Sequence, residues 1–314
     1  MAELSGRARM RGVLAPVVTP FDARLRPDTA RLARHCRWLV EQDVGLAVFG
    51  TNSEANSMSV GEKIALLEAL VKSGLPPERM MPGTGTCAFP DTVELTRAAV
   101  RLGCVGVLML PPFYYKGVSD EGLFRSYAQV IERVAEPRLK IYLYHIPPVS
   151  QIPISLALIE RLIEAFPGTI AGIKDSSGDW SNTQAMLERF QPRGFDVFAG
   201  SERFLLATLR AGGAGCITAI ANVNPAAIVR LARYWRAEDA ERQQAALDAV
   251  RAAFQQFPMI PALKAAIAHY AEDPDWAAVR PPLVELDETQ TRTLEQALVN
   301  LGFAMPGLAV TSAA

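Results

Sequence analysis

Six lysines stand among the 32 basic residues of this chain, and one of them sits where a lysine is costly. In 169-TIAGIKDSSGDW-180 an apolar run ends on Lys174, just before a small polar loop. Taking an ammonium out of water needs compensation, so the position asks for a reason. Desolvation favours the neutral amine, and a neutral amine attacks a carbonyl carbon to form a Schiff base. A structural ion pair with Asp175 or Glu54 is the other reading of the same residue. Lys63 and Lys72 have polar neighbours on one amphipathic stretch and read as solvated, while Lys140 opens an apolar run instead of ending one. Imine chemistry also needs a proton carrier, and a phenol beside a cation can serve. Tyr144 in YLYHIPP, with Tyr114 and Tyr115 in PPFYYKG, lies at the end of a similar run, where a tyrosine can equally be a packing residue. The stretch 50-GTNSEANS-57 offers backbone N–H groups and hydroxyls suited to a carboxylate. Its plainer reading is a turn before a helix capped by Ser59.

Short apolar runs carry all of these pieces, and each run precedes a longer amphipathic one. The pairs are 13–18 with 28–42, 45–50 with 60–74, 79–85 with 91–103, 105–110 with 119–135, 140–146 with 155–166, 169–174 with 180–190, 195–200 with 202–212, and 214–220 with 224–237. The runs are continuously apolar, as parallel strands covered on both faces are. Asp28, Asp91, Ser119 and Ser155 are placed to cap helices, and Gly74 and Gly103 to close them. Eight such units predict an α/β fold of the (β/α)8 TIM barrel kind, with a doubly wound open sheet as the alternative. The absence of G-x-G-x-x-G after the first run weakens a dinucleotide site. Beyond about residue 238 the strand pattern stops and three more helices follow. The expected organisation is a catalytic barrel over 1–237 and a C-terminal helical extension over 238–314, ending in a loosely held MPGLAVTSAA.

Composition narrows the partners. The 32 basic and 33 acidic residues nearly cancel and form no basic block, which disfavours nucleic acid and anionic membranes. MAELSGRARMRG lacks an apolar signal core, and no apolar run is long enough to span a bilayer, so a soluble cytoplasmic protein is expected. Cys36, Cys87, Cys104 and Cys216 are scattered, as are His35, His145 and His269, and neither set has zinc-like spacing. The cysteines read as buried free thiols.

Taken together, the strand-end residues resemble the pyruvate-dependent class I aldolase family of dihydrodipicolinate synthase and N-acetylneuraminate lyase. The resemblance runs from about Gly12 to about Gly302. It rests on Gly50-Thr51-x-x-Glu54, Pro112-x-Tyr114-Tyr115 with Glu121-Gly122-Leu123, Tyr144-x-x-Pro147, Gly172-Ile173-Lys174, Gly200, and Ala221-Asn222-Val223. It implies that Lys174 condenses with the keto carbon of pyruvate or another 2-keto acid and that Tyr144 carries protons. It further implies that Thr51 hydrogen-bonds Tyr144 and that the Thr51–Asn52 backbone holds the keto acid carboxylate. Tyr115 resembles the tyrosine that family members insert into a neighbouring subunit's site, which implies self-association as a homotetramer, a dimer of dimers. Ile217 matches the position whose carbonyl lines the pocket. No metal and no organic cofactor is implied, because the lysine imine is the electron sink.

Departures from the family pattern bear on substrate. Dihydrodipicolinate synthases carry an arginine where this chain has Val149, which disfavours lysine biosynthesis. The segment 144-YHIPPVSQ-151 resembles the lyases more closely, yet sialate lyases have acidic residues at both positions matching Glu202 and Arg203 and a serine at Ala219. Ser53 replaces a glycine, so the loop is expected to differ in detail, and Asn52 adds an amide that could read a substrate hydroxyl. Arg203 is either solvated, paired with Glu202 or Asp175, or a bidentate ligand for a distal carboxylate. With Ser176 and Gly200, these residues complete the expected substrate site. The implied reaction is retro-aldol release of pyruvate from a 2-keto-3-deoxy sugar acid or a related 4-hydroxy-2-keto acid. A hydro-lyase or deaminase on the same imine is the alternative, and a non-catalytic keto acid sensor the third reading.

Overall fold

The computed structural model describes residues 9–308. Seven parallel strands form one sheet: β1 Gly12–Ala15, β2 Gly45–Leu46, β3 Val107–Met109, β4 Ile141–His145, β5 Ile170–Asp175, β6 Asp196–Ala199 and β7 Gly215–Ile217. Their order is β2-β1-β7-β6-β5-β4-β3, so β2 and β3 are the two edges. Helices follow the strands, as the amphipathic stretches predict, and the parallel register leaves both faces of the sheet to be buried. One apolar cluster gathers Leu14, Ala47, Met81, Leu108, Tyr142, Tyr144, Ala171, Phe198 and Ile217. The alternate residues Val13, Leu46, Leu143, Ile173, Val197 and Cys216 belong to a second cluster with the helices. Strand periodicity thus sorts neighbouring residues into two separate apolar layers.

The third expected strand appears as two isolated bridges, Met80 to Leu46 and Gly83 to Leu108. Residues 80–84 nevertheless hydrogen-bond to both edges. Met81 N donates to Leu46 O at 2.8 Å and Gly83 N to Val48 O at 2.7 Å, while Thr84 N donates to Leu108 O at 2.9 Å and Leu108 N to Pro82 O at 2.9 Å. Pro82 has no N–H to give, and this interrupts the ladder on the β3 side. At the strand starts, Tyr142 Oη donates to Asp196 Oδ2 at 3.3 Å, and Arg9 and Arg11 pair with the same carboxylate at 3.4 Å each.

Asp28, Ser119 and Ser155 cap their helices through side-chain oxygens. Asp91 does not: its helix starts earlier, at Phe89, so Asp91 lies in the first turn. Gly74 and Gly103 close helices with φ of 87° and 86°. Three helices, Ala240–Phe254, Met259–Tyr270 and Glu288–Asn300, occupy the C-terminal segment. Their Leu247, Phe254, Leu263, Ile267, Leu294 and Leu298 join the helix-facing core cluster. Within MPGLAVTSAA, Met305 is buried and Pro306 O accepts from Trp38 Nε1 at 3.0 Å, so that part is held. Residues 309–314 lie outside the described residues, as do the first eight. Cys36, Cys104 and Cys216 are buried, but Cys87 is exposed. No helix among the described residues is long and apolar enough to cross a membrane.

His35 supplies a test of the core. It is fully buried between Trp38 and Trp276, with ring centroids 5.5 and 5.2 Å away. Burial lowers its pKa to about 4, with the nearby Asn222 amide opposing the shift. The unfolded ring titrates near ~6.5, so the unfolded chain binds the extra proton between those values. Stability is therefore full above about pH 6.5 and falls as the pH drops toward 4, by roughly 3 kcal/mol from this residue. Urea melts at several pH values should show that slope, and His35→Phe should flatten it. An equal slope in the variant would assign the acid sensitivity elsewhere.

Candidate active site

Lys174 and Tyr144 are register partners on adjacent strands, so both side chains leave the same face of the sheet. Lys174 is 2% exposed, and its Nζ lies 4.2 Å from the centroid of the Tyr144 ring. On its other side the register partner is Phe198. Thr51 Oγ1 and Tyr144 Oη are 3.2 Å apart, and either can be the donor. Three residues separated widely in sequence thus meet at the C-terminal ends of β2, β4 and β5.

The carboxylates that could have claimed Lys174 are engaged elsewhere. Asp175 accepts from Ser177 N at 2.9 Å, Ser177 Oγ at 3.1 Å, Asn182 Nδ2 at 3.0 Å and Thr183 Oγ1 at 2.6 Å. His145 Nε2 is 4.0 Å from the same carboxylate. Ile154 N donates to His145 Nδ1 at 3.0 Å, which puts the ring hydrogen on Nε2, and burial holds the ring's pKa below its usual value. Glu54 pairs with Lys264 at 2.6 Å. Lys174 forms no ion pair among the described residues, and its charged form has only the face of Tyr144 to stabilise it.

The turn Thr51–Ser53 sits beside this pair. Ser53 lies in a right-handed turn, so the missing glycine costs nothing there. Instead its Oγ accepts from Gly50 N at 3.1 Å and its carbonyl from Thr19 Oγ1 at 2.8 Å. The left-handed residue is Glu54, at φ 56°. The N–H groups of Thr51 and Asn52 make no hydrogen bond among the described residues, and both side chains are half-buried. Two free donors beside a buried amine suit an acid that carries a carbonyl next to its carboxylate.

Gly200 and Ser176 meet across β5 and β6. A Cβ on Gly200 would stand 2.0 Å from Ser176 Oγ and 2.8 Å from Asp175 O, so only glycine lets the two loops approach. Ile217 is fully buried in the cluster that includes Tyr144.

The remaining candidates lie farther out or face elsewhere. Val149 is 61% exposed in the short turn Pro147–Ser150. Tyr114 and Tyr115 are 74% exposed and stacked edge to face, and among the described residues no hydrogen bond or ring contact joins either to Lys174, Tyr144 or Thr51. Lys116 Nζ donates to Ser150 O at 2.8 Å, which ties the tyrosine loop to the Val149 turn. Arg203 is exposed and pairs with neither Glu202 nor Asp175 among the described residues. Glu202 is wholly buried, where Thr218 Oγ1 donates to its carboxylate and Arg251 Nη1 pairs with it at 3.0 Å. It is therefore directed to the C-terminal helix Ala240–Phe254. No cluster of His, Cys, Asp or Glu suited to a metal ion occurs among the described residues.

One lysine expected to be solvated is buried, and so is a second to which the sequence assigned no role. Lys63 is buried, its Nζ 3.4 Å from Ala55 O, because its helix starts directly beneath the Ala55–Ser57 turn. Lys264 is fully buried against Glu54. The signal for it was present: MIPALKAAIA holds one charge in an otherwise apolar stretch.

A sequence profile of the dihydrodipicolinate synthetase family matches residues 9–301. The chain belongs to that family. Membership in the dihydrodipicolinate synthetase family makes it an enzyme, and relatives carry the names of lyases and synthases. An uncharacterised DapA-like lyase of Chloroflexus aurantiacus is 33% identical over 297 residues, covering 92% of this chain and 96% of the relative. Among solved structures, dihydrodipicolinate synthase from Agrobacterium tumefaciens superposes with a TM-score of 0.85 at 30% identity, over 92% of this chain and 99% of that one. YagE, a prophage protein of the family from E. coli solved in complex with pyruvate, also superposes at 0.85, with 28% identity over 95% and 100% of the two chains.

Proposed function

We propose that the protein is a Schiff-base-forming lyase of the class I aldolase type, which releases pyruvate from a 2-keto-3-deoxy sugar acid or a related 4-hydroxy-2-keto acid, or joins the same pieces in reverse. The observation that carries this reading is the Lys174 amine with no counter-ion among the described residues, 4.2 Å over a tyrosine ring whose hydroxyl meets Thr51 at 3.2 Å. The neutral amine adds to the keto carbon, water leaves, and the resulting iminium keeps its positive charge over the ring face. Tyr144 Oη gives its proton to the departing hydroxide, and the phenolate so formed takes the proton of the substrate's 4-hydroxyl as the C3–C4 bond breaks. The electron pair of that bond moves into the iminium to give an enamine, and the aldehyde departs. A proton returned to C3 and the addition of water then free pyruvate and the amine. The N–H groups of Thr51 and Asn52 hold the carboxylate throughout. The family neighbour solved with pyruvate supports this choice of keto acid.

Residues 1–237 on this reading form a (β/α)8 barrel with 80–84 as its remaining strand, and the helices after 238 are an extension that braces it. Tyr115 completes the site of a second copy in a homotetramer, a reading supported by its exposure at 74%. Val149 leaves the rim without the arginine expected for dihydrodipicolinate synthesis, and Arg203, which has no ion-pair partner among the described residues, is available to a distal carboxylate.

Incubating the protein with pyruvate and aldehydes of varied length and charge tests the proposal. Condensation with hydroxyaldehydes supports it, whereas loss of water or ammonia from 2-keto acids without carbon–carbon cleavage transfers the chemistry to the hydro-lyase alternative. On the same panel, Arg203→Ala should raise KM by ~10-fold for products bearing a second carboxylate, the scale of one charge-assisted contact. Equal effects on neutral sugar acids would remove Arg203 from the site.

A further inference from the structure

One buried ion pair next to the site is not used by the imine chemistry. Glu54 ends the Thr51–Ser53 turn in the left-handed conformation, at φ 56° and ψ 32°. That conformation is unfavourable for a residue with a Cβ and persists where the surroundings over-determine it. Here they do. Glu54 Oε1 accepts from Lys264 Nζ at 2.6 Å, and Oε2 accepts from Arg280 N at 2.8 Å. The Glu54 and Lys264 side chains are both 0% exposed. Lys264 Nζ and the Arg280 guanidinium lie 4.5 and 4.7 Å from the centroid of the Phe21 ring. Arg280 also donates to Ser57 O at 2.6 Å and to Leu25 O at 2.8 Å. A carboxylate and an ammonium withdrawn from water this far rarely add net stability over an apolar pair, although breaking the pair is severe. A role beyond stability is therefore worth seeking.

The contact made by Glu54 on its other side supplies one. Its N–H donates to Thr51 O at 3.2 Å and so closes the turn that presents the free N–H groups of Thr51 and Asn52. We propose that the buried Glu54–Lys264 pair is a positioning device for the keto acid carboxylate site: the C-terminal helix Met259–Tyr270 helps hold the Thr51–Asn52 backbone at its working angle through this ion pair, alongside the Arg280 N–H bond to the same carboxylate. Lys264 touches no reacting atom, so both residues are positioning residues. The role assigned to Thr51 and Asn52 rests on the proposed function, whereas the mechanical link does not.

The test compares the wild type with Lys264→Met and with the double variant Glu54→Gln/Lys264→Met, which leaves no buried charge unpaired. Two quantities are read: hydrogen exchange at the amides of residues 53–55, and the pyruvate concentration that half-saturates borohydride trapping. In the folded double variant, exchange at those amides should quicken and half-saturating pyruvate should rise, each by ~10-fold or more, the cost of loosening a binding group by a fraction of an ångström. The trapping rate at saturating pyruvate should stay within ~3-fold, because the amine and Tyr144 are untouched. Lys264→Met alone should be less stable than the double variant. If the double variant unfolds, Glu54→Gln alone keeps the side chain's shape and one acceptor, and is read in the same way. Wild-type exchange and wild-type half-saturation in the folded variant overturn the proposal and leave the pair a stability element. If the wild type itself is not trapped by pyruvate, the catalytic reading fails, and the exchange rates alone decide the mechanical link.

Discussion

Borohydride added with pyruvate is expected to leave one reduced keto acid on Lys174, and Lys174→Ala to lose more than ~10⁴-fold in turnover, the scale set by removing a covalent nucleophile. The competing amine is Lys264, which is even more deeply buried. Its Nζ donates to Glu54 Oε1 at 2.6 Å, so a carboxylate holds the nitrogen in its protonated, non-nucleophilic form. Lys63 is buried too, but lies against Ala55 O beneath the turn. Lys174 combines burial with a proton carrier whose ring centroid lies 4.2 Å from its Nζ. Peptide mapping of the trapped protein decides among the three. Mass on Lys264, or a Lys174→Ala protein with ordinary turnover, ends the imine reading.

Tyr144→Phe should separate the two tasks of that residue. The ring face over Lys174 remains, so pyruvate should still be trapped on the amine. The hydroxyl facing Thr51 at 3.2 Å is gone, so turnover should fall ~10²-fold or more, as for loss of a positioned acid–base group. Thr51→Val should cost less, because it removes only the partner of that hydroxyl. Steady-state turnover set beside single-turnover trapping shows the split. A phenylalanine variant with unchanged turnover would move proton transfer to water or to another group.

Much of this was legible in the sequence, for reasons that differ from residue to residue. Lys174 showed itself because β5 must be apolar on both faces, which makes any charge at its end conspicuous. Tyr144 and the 50–57 turn followed from their places at other strand ends. The third strand read as an ordinary apolar run, and it appears as two bridges, with Pro82 interrupting the ladder on the β3 side. Glu202 was expected among the substrate residues or beside Arg203, and its partner Arg251 comes from a helix 49 residues on. Lys264 finds Glu54 across 210 residues. Pairings at that separation depend on how helices wrap the sheet, which local periodicity does not encode. Ser53 shows the reverse case, a position judged by its usual occupant when the turn places the left-handed angle one residue later.

The Pro82 segment also bears on how the folded chain avoids its own kind. β2 is two residues long and β3 three, and each would be an open edge able to recruit a strand from another molecule. Residues 80–84 cover both edges at once, spending their donors and acceptors inward. The one gap in that cover is a proline, which cannot offer an N–H to an intruding strand. The seam of the sheet is thus its least regular ladder and also a poor template for aggregation.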